Sequence, residues 1–335
     1  MNAMLPGLHP CRLLRLMQES IARCKLNLDG LTVLTEAGTW AYVVTPLLAA
    51  MAGARQVYAV AKDSRFGSAE DAANNAYELA RKCGLERRIQ VIDCATPDVI
   101  AKADIVTNSG HVRPITAEKI AHMKSTAVVP LMYENWEFRP SDVDLEACRK
   151  HGIRVAGTNE RHPDIGVFEF LGVMAVKLLL DAGVCVFGSR IVLLCDNAFG
   201  PHLEAGLRGA GGHVTTCLRI PDRLGHIDAV LVATTPRNES ALTSHEVKRV
   251  AHDSPGGVIA QFFGTLDRRV VQENGVPIWP ADEPEKGHMG ILPSAVGPEP
   301  IVRLQTGGLK VGEVLHHNGL RSADSSREFV QPLSG

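Results

Sequence analysis

No stretch of the sequence stays apolar for the ~20 residues that a helix needs to cross a bilayer, so no spanning helix is expected. Cysteine occurs eight times and never as Cys-x-x-Cys. That spacing argues against a zinc site or a dithiol motif and for buried, reduced thiols in a cytoplasmic protein. No charge run dominates, and a formal net charge of −2 gives no reason to expect nucleic acid or an acidic membrane as partner. Low-complexity tracts, short repeats and metal-ligand spacings are also missing. Near the start, Arg12, Arg15 and Glu19 interrupt the apolar residues, so 13–22 reads as a short amphipathic helix rather than a signal peptide. The most telling absence is an intact GxGxxG.

What is present is an ordinary globular composition, 45% apolar and 21% charged, over 335 residues, enough for two cores. Residues 190–194 are nearly continuously apolar, as a strand buried on both faces must be. A tight turn ends at Gly200, residues 202–208 carry apolar side chains at helical spacing, and the glycines of 209–212 suit a helix C-terminus. Residues 213–217 return as a strand, so 188–216 is a βαβ unit of the dinucleotide-binding type. Its fingerprint, laid on Cys195-Asp196-Asn197-Ala198-Phe199-Gly200, keeps only the last glycine. Asp196 brings negative charge where a pyrophosphate would sit. No acid follows the second strand; Arg219 stands there, a partner for a 2′-phosphate.

Upstream, apolar runs at 31–35, 57–61, 89–92, 104–106 and 127–132 alternate with helical patterns at 46–51, 68–83, 97–102 and 116–123, and 140–156 reads as a turn, a short helix and a sixth strand. A long, nearly all-round apolar helix is expected over 164–181, buried between domains. Further strands are expected at 228–233 and 257–261, a return begins at 278–283, and the tail from 308 packs back on the first domain. Beyond about Ser322 the polar composition predicts fraying. The expected fold class is α/β, with two Rossmann-like domains of parallel doubly wound sheets and an interdomain cleft. Residues 1–157 with 296–335 form the first, and 158–295 the second.

Such sheets bind ligands at their strands' carboxyl ends. These ends hold Glu36 to Thr39, Lys62 to Ser64, Asp93, Asn108, Ser109, Gly110, His111 and Arg113, then Glu134, Trp136, Glu137 and Arg139. Each residue also has a plain reading as a helix cap, turn former or solvated rim, and residues 133–139 as an interdomain contact. Two acids, a base and three aromatics directly after a buried strand nevertheless suit acid–base work, since apolar surroundings raise carboxyl pKa values. Glu134 and Glu137 are the acid–base candidates; Arg113 or Arg139, with the amides around Ser109-Gly110, would hold a carboxylate.

The order of these segments resembles that of the D-isomer-specific 2-hydroxyacid dehydrogenases over roughly residues 100–300. The likeness is carried by ADIVTNSGHVRPIT (103–116), DVDLEACRKHGIRVAGTN (142–159), GSRIVLLCDNAFG (188–200), IDAVLVATTPRNESALTSHEV (227–247) and PGGVIAQFFG (255–264). It implies an NAD or NADP cofactor contacted by Asp196, Asn197, Ala198, Phe199, Gly200, Arg219, Thr234, Thr235 and Pro236, and a homodimer. The family's substrate-holding arginine would fall near Phe262 to Gly264 and its histidine near Pro293 to Ala295, where neither residue stands. Glu283 matches the glutamate that supports that histidine, and His288 is the nearest imidazole. A second resemblance, of VLTEAGTWAYVVTPLLAAMAGARQVYAVAKDS (33–64) and ARKCGLERRIQVID (80–93), is to class I methyltransferases that use S-adenosylmethionine. Three expectations follow. The first is an NAD(P)-dependent oxidoreductase with altered chemistry acting on a small polar carboxylate. The others are a non-catalytic nucleotide or metabolite binder, and a methyltransferase-like first domain.

Overall fold

A computed structural model of the chain describes residues 5–222, 225–317 and 325–333. The chain divides into two compact units: unit 1 comprises 1–167 and 297–335, and unit 2 comprises 168–296. Both are α/β with parallel sheets, as the alternation of apolar runs and helical patterns implied.

Unit 1 opens with α1 (Pro10–Cys24), whose apolar stripe of Leu13, Met17 and Cys24 is buried. Then follow β1 (Thr32–Glu36), α2 (Val44–Met51), β2 (Gln56–Val60), α3 (Ala69–Lys82), β3 (Ile89–Ile92) and α4 (Pro97–Ile100). Next come β4 (Ile105–Val106), α5 (Ala117–Ala121), β5 (Val128–Pro130), α6 (Leu145–His151) and β6 (Arg154–Thr158). The helices start where side-chain caps satisfy free N–H groups: Ser68 accepts from Asp71, Thr116 from Lys119 and Asp144 from Ala147.

Unit 2 holds α7 (Leu171–Asp181), β7 (Arg190–Leu194), α8 (Gly200–Gly209), β8 (His213–Cys217), β9 (Ala229–Ala233) and α9 (Ser244–Asp253). It ends with β10 (Val258–Phe263), α10 (Arg268–Glu273) and β11 (Ile278–Trp279). The chain returns to unit 1 through α11 (Glu299–His316) and β12 (Val330–Pro332).

The two sheets are wound differently. In unit 1 the order is β12-β6-β5-β4-β1-β2-β3, with β1 to β6 parallel and β12 antiparallel to β6. The six parallel strands thus run 3-2-1-4-5-6, and the winding reverses between β1 and β4. In unit 2 the order is β11-β10-β9-β7-β8, all parallel, and the reversal lies between β7 and β9. Each sheet buries both faces. Val33 and Ile105 pack with Met17, Leu47 and Leu309, while Leu34 and Val106 pack with Ile120 and Cys148. In unit 2, Ile191 and Leu193 meet Met174 and Leu203; Val192 and Leu194 meet Val247 and Val250.

Three expectations need correction. The helix expected from residue 164 begins at Leu171, after a 3-10 turn at Phe168–Phe170. Gly166 takes φ +59°, and a turn closed by Ile165 and Gly166 N–H to the His162 carbonyl holds the preceding residues out of helix. That helix also buries one face rather than all: Val173 and Leu180 keep 54% and 52% of their exposure. The tail does not fray over 325–333. A 3-10 turn at Ser325–Phe329 leads into β12, because Phe329 and Val330 are buried and the Phe329 ring stacks on His162 at 3.8 Å. Residues 322–324 lie outside the described residues. All eight cysteines are free thiols, and three of them (Cys11, Cys94 and Cys185) are exposed rather than buried.

Candidate functional site

At the reversal in unit 1, Glu36 ends β1 beneath the loop that follows β4. Its Oε2 accepts the His111 N–H at 3.1 Å, and a methyl group on Gly110 would stand 3.1 Å from the same oxygen, so a side chain there would press on the carboxyl. Burial pushes the Glu36 carboxyl up, against the pull of the Gly110 and His111 amides and of Arg113. Alongside it, the hydroxyls of Thr35, Thr107 and Ser109 bond one another. Asn108 is 1% exposed; its Oδ1 accepts the Met132 N–H at 2.8 Å, while its Nδ2 has no partner among the described residues. An orphaned amide of this kind costs about 1–3 kcal/mol unless something supplies an acceptor. Arg113 is anchored to the fold on one side. Its Nη1 meets Asp142 at 2.9 Å, and the Tyr133 hydroxyl donates to the same oxygen at 2.8 Å.

The loops after β5 and β6 gather the acids. Glu134 is buried and receives three side-chain donors: Trp136 Nε1 at 2.7 Å, Gln331 Nε2 at 2.8 Å and Arg161 Nε at 3.1 Å. Beside it, burial and then the Glu134 charge raise the Glu137 carboxyl to about 7, opposed in part by Arg139. Glu160, from the loop after β6, is pushed up further by burial, Glu137 and Glu134. The structure therefore brings Glu134, Trp136, Glu137 and Arg139 together, and it adds Glu160, Arg161 and Gln331. No local signal marks those three; parallel pairing of β5 with β6 and antiparallel pairing of β12 with β6 deliver them. A carboxyl poised near 7 beside a guanidinium can hold or yield a proton next to a bound anion.

The corresponding edge of unit 2 is closed by its own side chains. Asp196 accepts the Thr235 N–H at 2.7 Å and pairs with Arg237 at 2.8 Å. Asn197 donates to the Ala233 carbonyl at 2.9 Å and accepts the Phe199 N–H at 3.0 Å. The Gly200 N–H bonds the Asn197 carbonyl, and Pro201, second in α8, has no N–H. Phe199 is buried among Phe168, Phe262 and Phe263. Thr234 and Thr235 thus flank the bridge from Asp196, with Pro236 next in the same loop, and Ala198 lies within the turn. Arg219 is 73% exposed, 3.9 Å from Glu246. A pyrophosphate needs free amide donors and no facing carboxylate, so the turn as it stands does not fit one. α7 and α8 hold this turn at close range: a methyl group on Gly206 would meet the Gly172 Cα at 2.3 Å.

The last candidates lie after β10. Arg268, buried, spends its guanidinium on Gln261 and on the Pro280 and Ala281 carbonyls, so it presents no charge to a ligand. Glu283 lies near enough to act on that charge, and His288 is 3.8 Å from Glu285. Among the described residues no three His, Cys, Asp or Glu side chains could hold a metal ion, and no helix is long and apolar enough to cross a membrane.

No family model and no curated protein matches the chain. Solved structures do. A dipicolinate synthase chain from Bacillus halodurans is 13% identical and aligns over 84% of this chain and 96% of its own, with a TM-score of 0.55. Its counterpart in the dipicolinate synthase of Bacillus subtilis is 11% identical over 88% and 98%, with a TM-score of 0.56. A D-lactate dehydrogenase with NAD+ from Lactobacillus jensenii is 10% identical over 86% and 97%, at 0.47. At these identities the likeness is one of fold alone, the α/β fold shared with the two dipicolinate synthase chains. It spans both units, and the methyltransferase resemblance finds no support in it.

Proposed function

We propose that this chain is a divergent relative in fold of the NAD(P)-dependent oxidoreductases that handles a small carboxylate-bearing molecule at the carboxyl end of β5 and β6. The observation that carries this is the Glu137 carboxyl at about 7, next to Arg139. Perturbed carboxyls of this sort concentrate where protons are moved. Arg139 holds the ligand's carboxylate. Glu137, populated in both forms near neutral pH, gives a proton to a carbonyl oxygen or takes one from the carbon beside it. Glu134 positions Trp136 and Arg161 around that pair, and its negative charge keeps Glu137 proton-rich. A nicotinamide nucleotide would supply hydride; in unit 2 it would first have to part Asp196 from Thr235 and Arg237. The likeness to dipicolinate synthase, named for a dicarboxylate, supports a carboxylate ligand.

A panel of 2-oxo and 2-hydroxy acids, followed by proton NMR in D2O, tests the reading. The expected result is deuterium exchange at the carbon beside the carbonyl, abolished in Glu137→Gln and weakened through KM in Arg139→Ala. If wild-type protein neither exchanges nor binds any member, the reading fails. A second reading, a non-catalytic binder, is favoured by the closed turn at Asp196 and Asn197. It predicts ligand binding without exchange, and binding indifferent to Glu137→Gln.

A further inference from the structure

We propose that unit 1 carries a nucleotide-binding site of its own, at the reversal between β1 and β4, with Trp40 and Phe66 as the faces for the base. The residues involved are separate from those assigned to proton transfer. In open doubly wound sheets ligands lodge in the crevice at the reversal, which in unit 1 lies between β1 and β4.

Two independent features lie along the rim of that crevice. Trp40 holds φ +54°, a left-handed conformation costly for a bulky residue, and is 45% exposed, its indole N–H donating to the Phe66 carbonyl at 3.0 Å. Phe66 is itself 48% exposed, with the Arg65 guanidinium 4.8 Å from its ring centroid. Two exposed aromatic faces beside a stacked arginine accept planar bases rather than aliphatic ligands. Basic groups lie within reach. Lys62 follows β2 and acts electrostatically on Lys119, whose ammonium donates to the Val112 and Pro114 carbonyls. Arg65 adds a third basic group; of the acids along the rim, Glu36, Asp63 and Asp93, Asp63 is occupied in capping the Ala69 N–H at 2.8 Å and Glu36 is buried. Base and phosphate each find a group of the right kind.

Isothermal titration calorimetry on the full chain with AMP, adenosine and inorganic phosphate tests this. The expected result is saturable AMP binding, adenosine weaker by about tenfold and no measurable heat from phosphate. Trp40→Gly, which the backbone conformation favours, should keep the melting temperature at or above wild type and weaken AMP about tenfold or more, the usual loss for one stacked base. Arg65→Ala should weaken AMP more than adenosine. Absence of heat from AMP and adenosine overturns the proposal. So does binding of phosphate alone, or AMP affinity unchanged in Trp40→Gly and Arg65→Ala, which would place the nucleotide elsewhere.

Discussion

The carboxyl edges of the two sheets differ in how their polar groups are satisfied. In unit 2, Asp196 and Asn197 bridge the ends of β7 and β9, Asp196 taking the Thr235 N–H and Arg237 and Asn197 the Ala233 carbonyl and the Phe199 N–H. In unit 1, Glu36, Glu137 and Glu160 are all held more proton-rich than ordinary carboxyls, and the Asn108 amide nitrogen has no partner among the described residues. Two doubly wound sheets of one chain thus present a satisfied edge and an electrostatically loaded one. Fold alone assigns neither a function. Unsatisfied groups at a strand's carboxyl end mark where free energy remains to be gained from a ligand, and here they lie in unit 1.

The comparison breaks most visibly if the closed edge can be loosened without cost. Gly206→Val forces a side chain against the Gly172 backbone and should cost about 3 kcal/mol by denaturant titration. An unchanged midpoint would mean that α7 and α8 do not hold the turn. In unit 1, Glu134→Ala removes the acceptor shared by Trp136, Arg161 and Gln331 and should cost about 2–3 kcal/mol. The same variant should lower the Glu137 pKa, since a neighbouring negative charge is gone.

A smaller effect sharpens the contrast through pH. Glu137 is raised from the ordinary 4.5 to about 7, so the folded state binds its proton more tightly than the unfolded chain does. Its stabilising effect is complete below about 4.5 and is lost as pH rises through 7. Glu137→Gln should flatten stability over that window and exceed wild type above pH 7 by on the order of 1–2 kcal/mol. A wild-type profile that is already flat between 4.5 and 7 contradicts this. The smallest change in stability is expected for Asp196→Asn, which keeps the acceptor for Thr235 and loses an exposed pair with Arg237 worth under about 1 kcal/mol. Calorimetry with NADH should nevertheless find tighter binding in this variant than in wild type, because the carboxylate facing the turn is gone.

Much of this layout was legible in the sequence because it is local. Apolar runs five residues long marked β1, β7 and β9, and Ser68 marked the start of α3. The degenerate turn at 195–200 could be seen in its missing glycines, and Glu137 in its aromatic neighbours. What escaped depends on contacts distant along the chain. Glu160 lies 23 residues after Glu137 and joins it only because β6 pairs with β5. Gln331 arrives on β12, in a tail whose polar composition concealed Phe329 and Val330 as anchors. Strand order was equally hidden, since alternation of strands and helices does not say to which side each crossover goes; hence the place of the reversal in unit 1 went unseen. The closing of the unit 2 turn by Asp196 needed the loop after β9, 39 residues away.

The contrast between the two edges is tested most directly by carbon-13 NMR titration of protein labelled at the glutamate side-chain carboxyl, with Glu137→Gln identifying the resonance. A wild-type signal that titrates near 7, is absent from the variant and moves down when Glu134 is replaced is the expected result. If every glutamate signal titrates near 4.5, unit 1 holds no loaded edge, and the assignment of proton transfer to Glu137 falls with it.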